Sequence, residues 1–323
     1  MTKVFHDVVD LQSAKIIADN FDDFALDSWD EKECATELKM LNNLIDNTDK
    51  QSGLCKVAYR VGKGKSTGRF YCKNGIGIQK HSRMIRNTIA APSYKDIDIV
   101  NCFPTLLVNY CIEKDYPHRA LKLYVDNRAE YLKEINNDFD LKKIMFELIM
   151  NGRKTYDTID TKPEWLISIK NNIETITELI VKDNAERYKA IKKANSRGTL
   201  MFEILESIEC NILESMITYC RDDMKVNTKN VVKMYDGFMI PDTHFTDEHL
   251  AILNKYVNDK FNVSIIQKPI ERLDLSEYEY VEPVADNDND CAINFMKYMT
   301  DLGHDFIRDG KGIFWFNIDM GIW

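Results

Sequence analysis

The 323-residue sequence has no CxxC pair among its eight cysteines and no run of 18 apolar residues. The first absence argues against a zinc ribbon or a redox dithiol, and the cysteines read as reduced, mostly buried thiols. The second excludes a membrane-spanning helix, so no membrane partner is expected. The start, Met1-Thr2-Lys3-Val4-Phe5-His6-Asp7, lacks the apolar core of a signal peptide, which points to an intracellular protein. A complete P-loop is missing as well. Gly62-Lys63-Gly64-Lys65-Ser66-Thr67 has the right ending, but Tyr59 stands where the first glycine belongs.

Acid is scarce where base is plentiful. The net charge is −9, yet Lys50 to Lys95 holds eleven Lys and Arg and no Asp or Glu. Tyr59, Phe70, Tyr71 and Tyr94 are interleaved with them. Such a stretch inside an acidic chain reads as a local phosphate-binding footprint, or else as a solvated basic face.

With 44% apolar and 29% charged residues the composition is that of a globular chain of two or three subdomains. Leu38, Leu41, Leu44 and Ile45 recur at helical spacing, and residues 8 to 46 are expected to be helical. Residues 50 to 95, with Gly62, Gly64, Gly68, Gly75 and Gly77, read as loops and short strands. Helices dominate from about 118 to 222, and 245 to 259 is again helical. The acidic stretch Glu282 to Asp290 reads as a linker. The apolar end at Trp323 suggests a fragment of a longer protein.

Two acidic motifs carry the chemistry. In Asp96-Ile97-Asp98-Ile99-Val100-Asn101-Cys102-Phe103-Pro104-Thr105 a short strand delivers Asp98, and Pro104 suits the first turn of the helix that follows. Asp96 alternates onto the same face as Asp98, the Ile99 carbonyl is a further oxygen donor, and the Phe103 ring could lie under a sugar. In Val231-Val232-Lys233-Met234-Tyr235-Asp236-Gly237-Phe238-Met239-Ile240, Asp-Gly between apolar runs is a hairpin signal that can present Asp236 at its tip. A buried aspartate is costly unless it is paired or holds a metal, so Asp98 and Asp236 are candidate ligands for two Mg²⁺ ions. A third element, Leu141 to Gly152, is a helix ended by Asn-Gly. It sets Lys143, Glu147 and Asn151 on one face, with Lys143 placed to neutralise triphosphate charge. His244 and His249 near Asp242 and Asp247 read as a surface loop.

The order of these motifs resembles a known family. Ser66-Thr67-Gly68-Arg69, then Gln79, Arg83 and Ile85-Arg86, then the Asp98 motif, resembles the palm lead-in of family A DNA polymerases. The helix from Lys143 to Asn151-Gly152 is similar to their motif B, and Tyr235-Asp236-Gly237 looks like motif C, usually His-Asp-Glu. Asp98-x-x-Asn101-Cys102-Phe103-Pro104 also resembles motif A of family B polymerases. The mixture most resembles the family A-related polymerases of virophages and mobile elements, which precede a superfamily 3 helicase. It covers roughly residues 66 to 242. Gly237 departs from the motif C Glu, Glu147 stands where family A has an aromatic, and Phe139 lies where an arginine would precede Lys143.

The resemblance implies an α+β right-hand polymerase with an antiparallel palm sheet and helical fingers and thumb. Its parts would be a helical thumb-like region (1–65), palm (66–117), fingers (118–214), palm again (215–281), and the linker with the start of a further module (282–323). It implies DNA polymerase and primase activity with Mg²⁺, or Mn²⁺, on Asp98, Asp236, the Ile99 carbonyl and Asp96. Lys143, Phe103, Asn151 and Tyr235 would meet the nucleotide, and Arg69, Gln79, Arg83 and Arg86 the nucleic acid. Partners would be a DNA primer-template, nucleoside triphosphates and a fused or associated superfamily 3 helicase beyond residue 323. The location would be the host cytoplasm or a viral factory. Two other readings stand beside it: an RNA-synthesising primase or polymerase, and a non-catalytic nucleic-acid-binding adaptor in replication.

Overall fold

The computed structural model describes residues 2–62, 68–73, 76–135, 139–278, 306–309 and 312–315. They belong to two units, Met1–Leu275 and Ser276–Trp323. The first opens with strand β1 (Thr2–Val8), helices α1 (Leu11–Asp19), α2 (Phe21–Phe24) and α3 (Glu31–Asp46), and strands β2 (Leu54–Val61) and β3 (Phe70–Cys72). The expected helix over 8–46 is therefore three helices, and a strand precedes them. Asp30 begins α3 through a capping box, accepting from Glu33 N at 2.7 Å while its own N–H donates to the Glu33 side chain at 3.0 Å.

Strands β1, β2 and β3 form an antiparallel sheet in that order, so the region expected to be helical and thumb-like also contributes strands β1 and β2. The reason lies in β1, whose polarity is inverted. Asp7 is fully buried, its Oδ2 accepting from Ile78 N at 2.9 Å, while Val4 on the other face is 51% exposed. Inward-facing acid and outward-facing valine erase the alternation by which a strand is recognised.

Next come α4 (Arg83–Ala90), β4 (Tyr94–Ile99), α5 (Cys102–Lys114), α6 (Arg119–Asp126), α7 (Arg128–Glu134) and α8 (Leu141–Ile149). The helices α9 (Lys154–Asp157), α10 (Glu164–Asp183), α11 (Ala185–Ala190) and α12 (Ser196–Asp222) follow. The unit closes with β5 (Val232–Lys233), β6 (Gly237–Pro241), α13 (Asp247–Phe261) and β7 (Ile265–Lys268). A second antiparallel sheet has the order β5-β6-β4-β7, so its central strand β4 pairs with strands that arrive after the whole helical stretch. The architecture is α+β.

Burial on both faces explains the apolar run around Asp236. Phe238 and Ile240 enter a core shared with Ile97, Ile99, Ile265 and helices α5, α8, α10 and α12. Val232 and Met239 face a second core with Ile17, Leu41, Val57 and Ile89 of the three-stranded sheet and its helices. Each such fully buried side chain contributes about 1.5–3 kcal/mol. The start of α12 is locked to the end of α8. Asn195 caps Gly198 N at 2.9 Å, and a Cβ on Gly198 would stand 2.0 Å from the Met150 carbonyl oxygen.

In the second unit β8 (Phe306–Asp309) and β9 (Gly312–Trp315) pair as an antiparallel hairpin, Phe306 opposite Trp315. The acidic linker 282–290 lies outside the described residues, as do residues 63–67 of the glycine- and lysine-rich loop.

Candidate active site

Strand register brings the two motifs together. Asp98 on β4 lies opposite Gly237 on β6, and Ile99 N donates to the Asp236 carbonyl at 3.0 Å. Asp236 thus sits at the hairpin tip beside Asp98. The approach is so close that a Cβ on residue 237 would lie 2.1 Å from the Ile97 carbonyl oxygen. A glutamate at this position, as motif C has it, cannot be accommodated between these backbones.

Asp98 is only 7% exposed, and the half-buried Asp236 lines the same cavity beside it. Burial and then the charge of Asp236 push the Asp98 carboxyl above the usual carboxylate range. Opposing them is Lys268 on β7, which forms an ion pair with Asp98. Asp96 shares the site's electrostatics: burial raises it, and Lys268 and Arg86 pull it down.

The carboxylate pair opens into a cavity of about 570 Å³. Arg69, Arg128 and Lys142 supply positive charge to its walls, and Phe103, Tyr124, Phe146 and Tyr235 supply rings. Phe103 stacks on Phe146 with centroids 6.0 Å apart at 13° and meets the edge of Phe202. Ile99 also lines the cavity, as does Tyr235, which is 36% exposed.

Other expected site residues are placed differently. Lys143 is exposed and does not line the cavity; its neighbour Lys142 does, together with Met145 and Phe146. A helix advances about 100° per residue, so a one-residue error in phase turns the predicted lysine away. Asn151 is also outside the cavity. It ends α8 in the left-handed conformation (φ 53°) and bonds Asn195 at 3.2 Å, a capping role. Glu147, on the same outer face, accepts from Thr155 N and Oγ1, both at 2.7 Å.

Gln79 is not a nucleic-acid contact in this fold. It is 3% exposed and its amide is fully used: Oε1 accepts from Cys72 N at 3.0 Å, and Nε2 donates to the carbonyls of Phe70 and Lys233 at 2.9 and 2.7 Å. It ties β3 to β5. Arg83 is exposed and pairs with Glu271 at 3.1 Å. Arg86 is half-buried near Asp96 and Asp236 but does not line the cavity.

Arg69 lines the cavity while committed to a partner the sequence reading missed. Its guanidinium makes two bonds to Glu209, at 2.6 and 2.8 Å, and lies 4.9–5.4 Å from the rings of Tyr235, Phe202 and Phe103. Glu209 has no exposed surface. Burial pushes its carboxyl up to about 7 and Arg69 opposes the shift; the two-pronged geometry is that of a charged pair. A signal was available. Glu206 and Glu209 interrupt an otherwise apolar face of α12 that includes Leu205, Ile212 and Leu213.

Among the described residues no group of three His, Cys, Asp or Glu is gathered closely enough to hold a metal ion. The Asp98–Asp236 pair nevertheless fits a hard divalent cation. Two neighbouring carboxylates repel each other, and Mg²⁺ is commonly held by one or two carboxylates, with waters and substrate phosphates completing its shell.

No family model matches this sequence. It is 24% identical over 298 residues to a protein of the Sputnik virophage named as a putative helicase. The likeness is to a viral protein. It covers 86% of this chain and 37% of the relative, so the chain spans well under half the length of the protein it matches. Among the described residues no helix is long and apolar enough to cross a membrane.

Proposed function

We propose that this chain carries out template-directed nucleotidyl transfer in replication of a viral or mobile element, as a DNA polymerase with primase activity. In this reading the β5-β6-β4-β7 sheet is the palm of a right-hand polymerase. The observation that carries it is the Asp98–Asp236 pair at the floor of a cavity walled by cations and rings. Opposite charges around one cavity suit a substrate that is a polyanion reacting at a metal-dependent phosphorus. In this reading the helicase of the virophage relative's name would belong to the part that this chain does not match, which is supported by a Gly-Lys-Ser here that lacks the first glycine of a P-loop.

The chain's own residues divide the task. Asp98 and Asp236 would hold the divalent cation, Mg²⁺ or Mn²⁺, with Asp96 behind them; in the free protein Lys268 neutralises Asp98 instead. The bound ion would supply a more acidic primer 3′-hydroxyl and charge neutralisation at the α-phosphate. The 3′-oxygen bonds to the α-phosphorus as the bond to pyrophosphate breaks. Lys142 and Arg128 are placed to meet the triphosphate, and Phe103 and Tyr235 to pack against sugar and base.

The deciding experiment is extension of a primed template by the purified chain with Mg²⁺, comparing deoxy- and ribonucleotides, with and without primer. Absence of any product from folded protein would leave only the nucleic-acid-binding adaptor. Within an active enzyme, Lys142→Ala is expected to raise the nucleotide KM about tenfold or more, the scale of one lost charge-assisted hydrogen bond. Lys143→Ala should stay within about twofold. Equal effects of the two would remove the assignment of the α8 face. Phe103→Leu keeps the core filled while removing the ring. It is expected to raise the ratio of ribonucleotide to deoxynucleotide incorporation, read in single-turnover assays. An unchanged ratio would make Phe103 a packing residue.

A further inference from the structure

Among the described residues the three-stranded sheet buries one face and leaves the other uncovered. On the uncovered face β1 presents Val4 and His6, and β2 presents Lys56, Ala58 and Arg60, the valine 51% exposed and both cations exposed. Register sets His6 opposite Lys56, Val4 opposite Ala58 and Arg60 opposite Tyr71 of β3, so all six side chains share one surface. Neither β1 nor β2 sets a carboxylate on that surface, although the charge of the buried Glu206 of α12 reaches Tyr71. The nearest acid along either strand, Asp7, points into the core, where Ile78 N donates to it. Neither Lys56 nor Arg60 has an ion-pair partner among the described residues, unlike Arg83, Lys95, Lys122 and Lys255, each of which does.

The surface also leads somewhere. Tyr71 lies at its β3 end, and the Tyr71 ring is 6.0 Å from Tyr235, which lines the cavity beside Asp236. Lys80 stands over the same ring at 5.9 Å. Arg60 and Lys56, four residues apart on one strand, are about 13 Å apart, a span that reaches several phosphates of one strand.

We propose that this uncovered face is the track along which the nucleic-acid strand approaches the active site. Its backbone phosphates lie on Arg60 and Lys56, and a base stacks at Tyr71 before the cavity. The occupant is a nucleic acid because β1 and β2 present cations and no acid on this face, which is continuous with the cavity through two aromatic rings, in a chain whose net charge is −9. The inference rests on the nucleotidyl-transfer reading, which it extends from where the reaction occurs to how the substrate lies.

The test is binding of a fluorescent primed DNA to the full chain across a range of salt concentrations. The paired substitution Lys56→Ala with Arg60→Ala is compared with Lys32→Ala with Lys39→Ala, which removes equal charge from exposed positions on α3. The first pair should weaken binding roughly tenfold or more and lower the salt slope by about two, while the second should change neither by more than a small fraction. Extension at saturating DNA should stay near wild type in the α3 pair, which lies in neither the cavity nor the track. Equal behaviour of the two pairs would overturn the track. So would wild-type binding by the first pair together with an altered oligomeric state in sedimentation, which would give the face to a second copy of the chain. If wild-type protein extends no primer but the binding difference is present, the track stands and the catalytic reading falls. If extension is present and the binding difference is not, the reverse holds.

Discussion

Asp98→Ala and Asp236→Ala are each expected to reduce primer extension by on the order of a thousandfold or more, with the fold retained. Both carboxylates are required because neither alone can replace the other across the β4–β6 register, and among the described residues no group of three acids is gathered closely enough to hold the ion without them. The fold should survive. In the free protein the pair is a source of strain, since burial and the neighbouring charge both push the Asp98 carboxyl up. Asp98→Asn, which keeps the shape and removes one charge, should unfold at or above the wild-type temperature while losing activity. The measurements are single-turnover extension with Mg²⁺ and thermal unfolding. A folded variant within tenfold of wild type would remove Asp98 or Asp236 from the reaction.

Gly237→Ala is expected to cost about 3 kcal/mol of stability, at the upper end for inserting a methyl group into packed structure. The added Cβ would meet the Ile97 carbonyl oxygen at 2.1 Å and Asp98 Cα at 2.9 Å. Both are backbone atoms of the central strand, so no side chain can swing aside. Relief requires β6 to move off β4, which also separates Asp236 from Asp98. Stability and extension should therefore fall together. The denaturant midpoint and the extension rate, measured on the same preparation, check this. A wild-type midpoint would mean that the strands lie further apart than described. The same contact explains why this chain has glycine where the resembling polymerases carry glutamate.

Much of the site was legible because its residues carry chemistry that local sequence expresses. An aspartate at the end of an apolar run, and Asp-Gly between two more, are strand-end and hairpin signals whatever surrounds them. The Asn-Gly end of α8 and the proline in the first turn of α5 were likewise local properties. What failed was whatever depended on which way a side chain points. Lys142 and Lys143 are equivalent in sequence, and only packing against α5 turns the first toward the cavity. Gln79 looked like a contact until three backbone groups were found to occupy its amide.

The amino-acid sequence by itself determined the hairpin that carries Asp236, the strand that carries Asp98 and the acid-free basic stretch, because each is set by neighbours a few residues apart; the α+β class came from the resemblance in motif order. Tertiary structure alone decided that β4 lies between β6 and β7, that Arg69 is held by Glu209, that Lys268 faces Asp98, and that the N-terminal region opens with an antiparallel sheet. These pairings join residues separated by more than a hundred positions, or, in β1, depend on a buried acid whose partner is a distant backbone amide. No periodicity encodes such contacts; they exist only once the cores have closed around them.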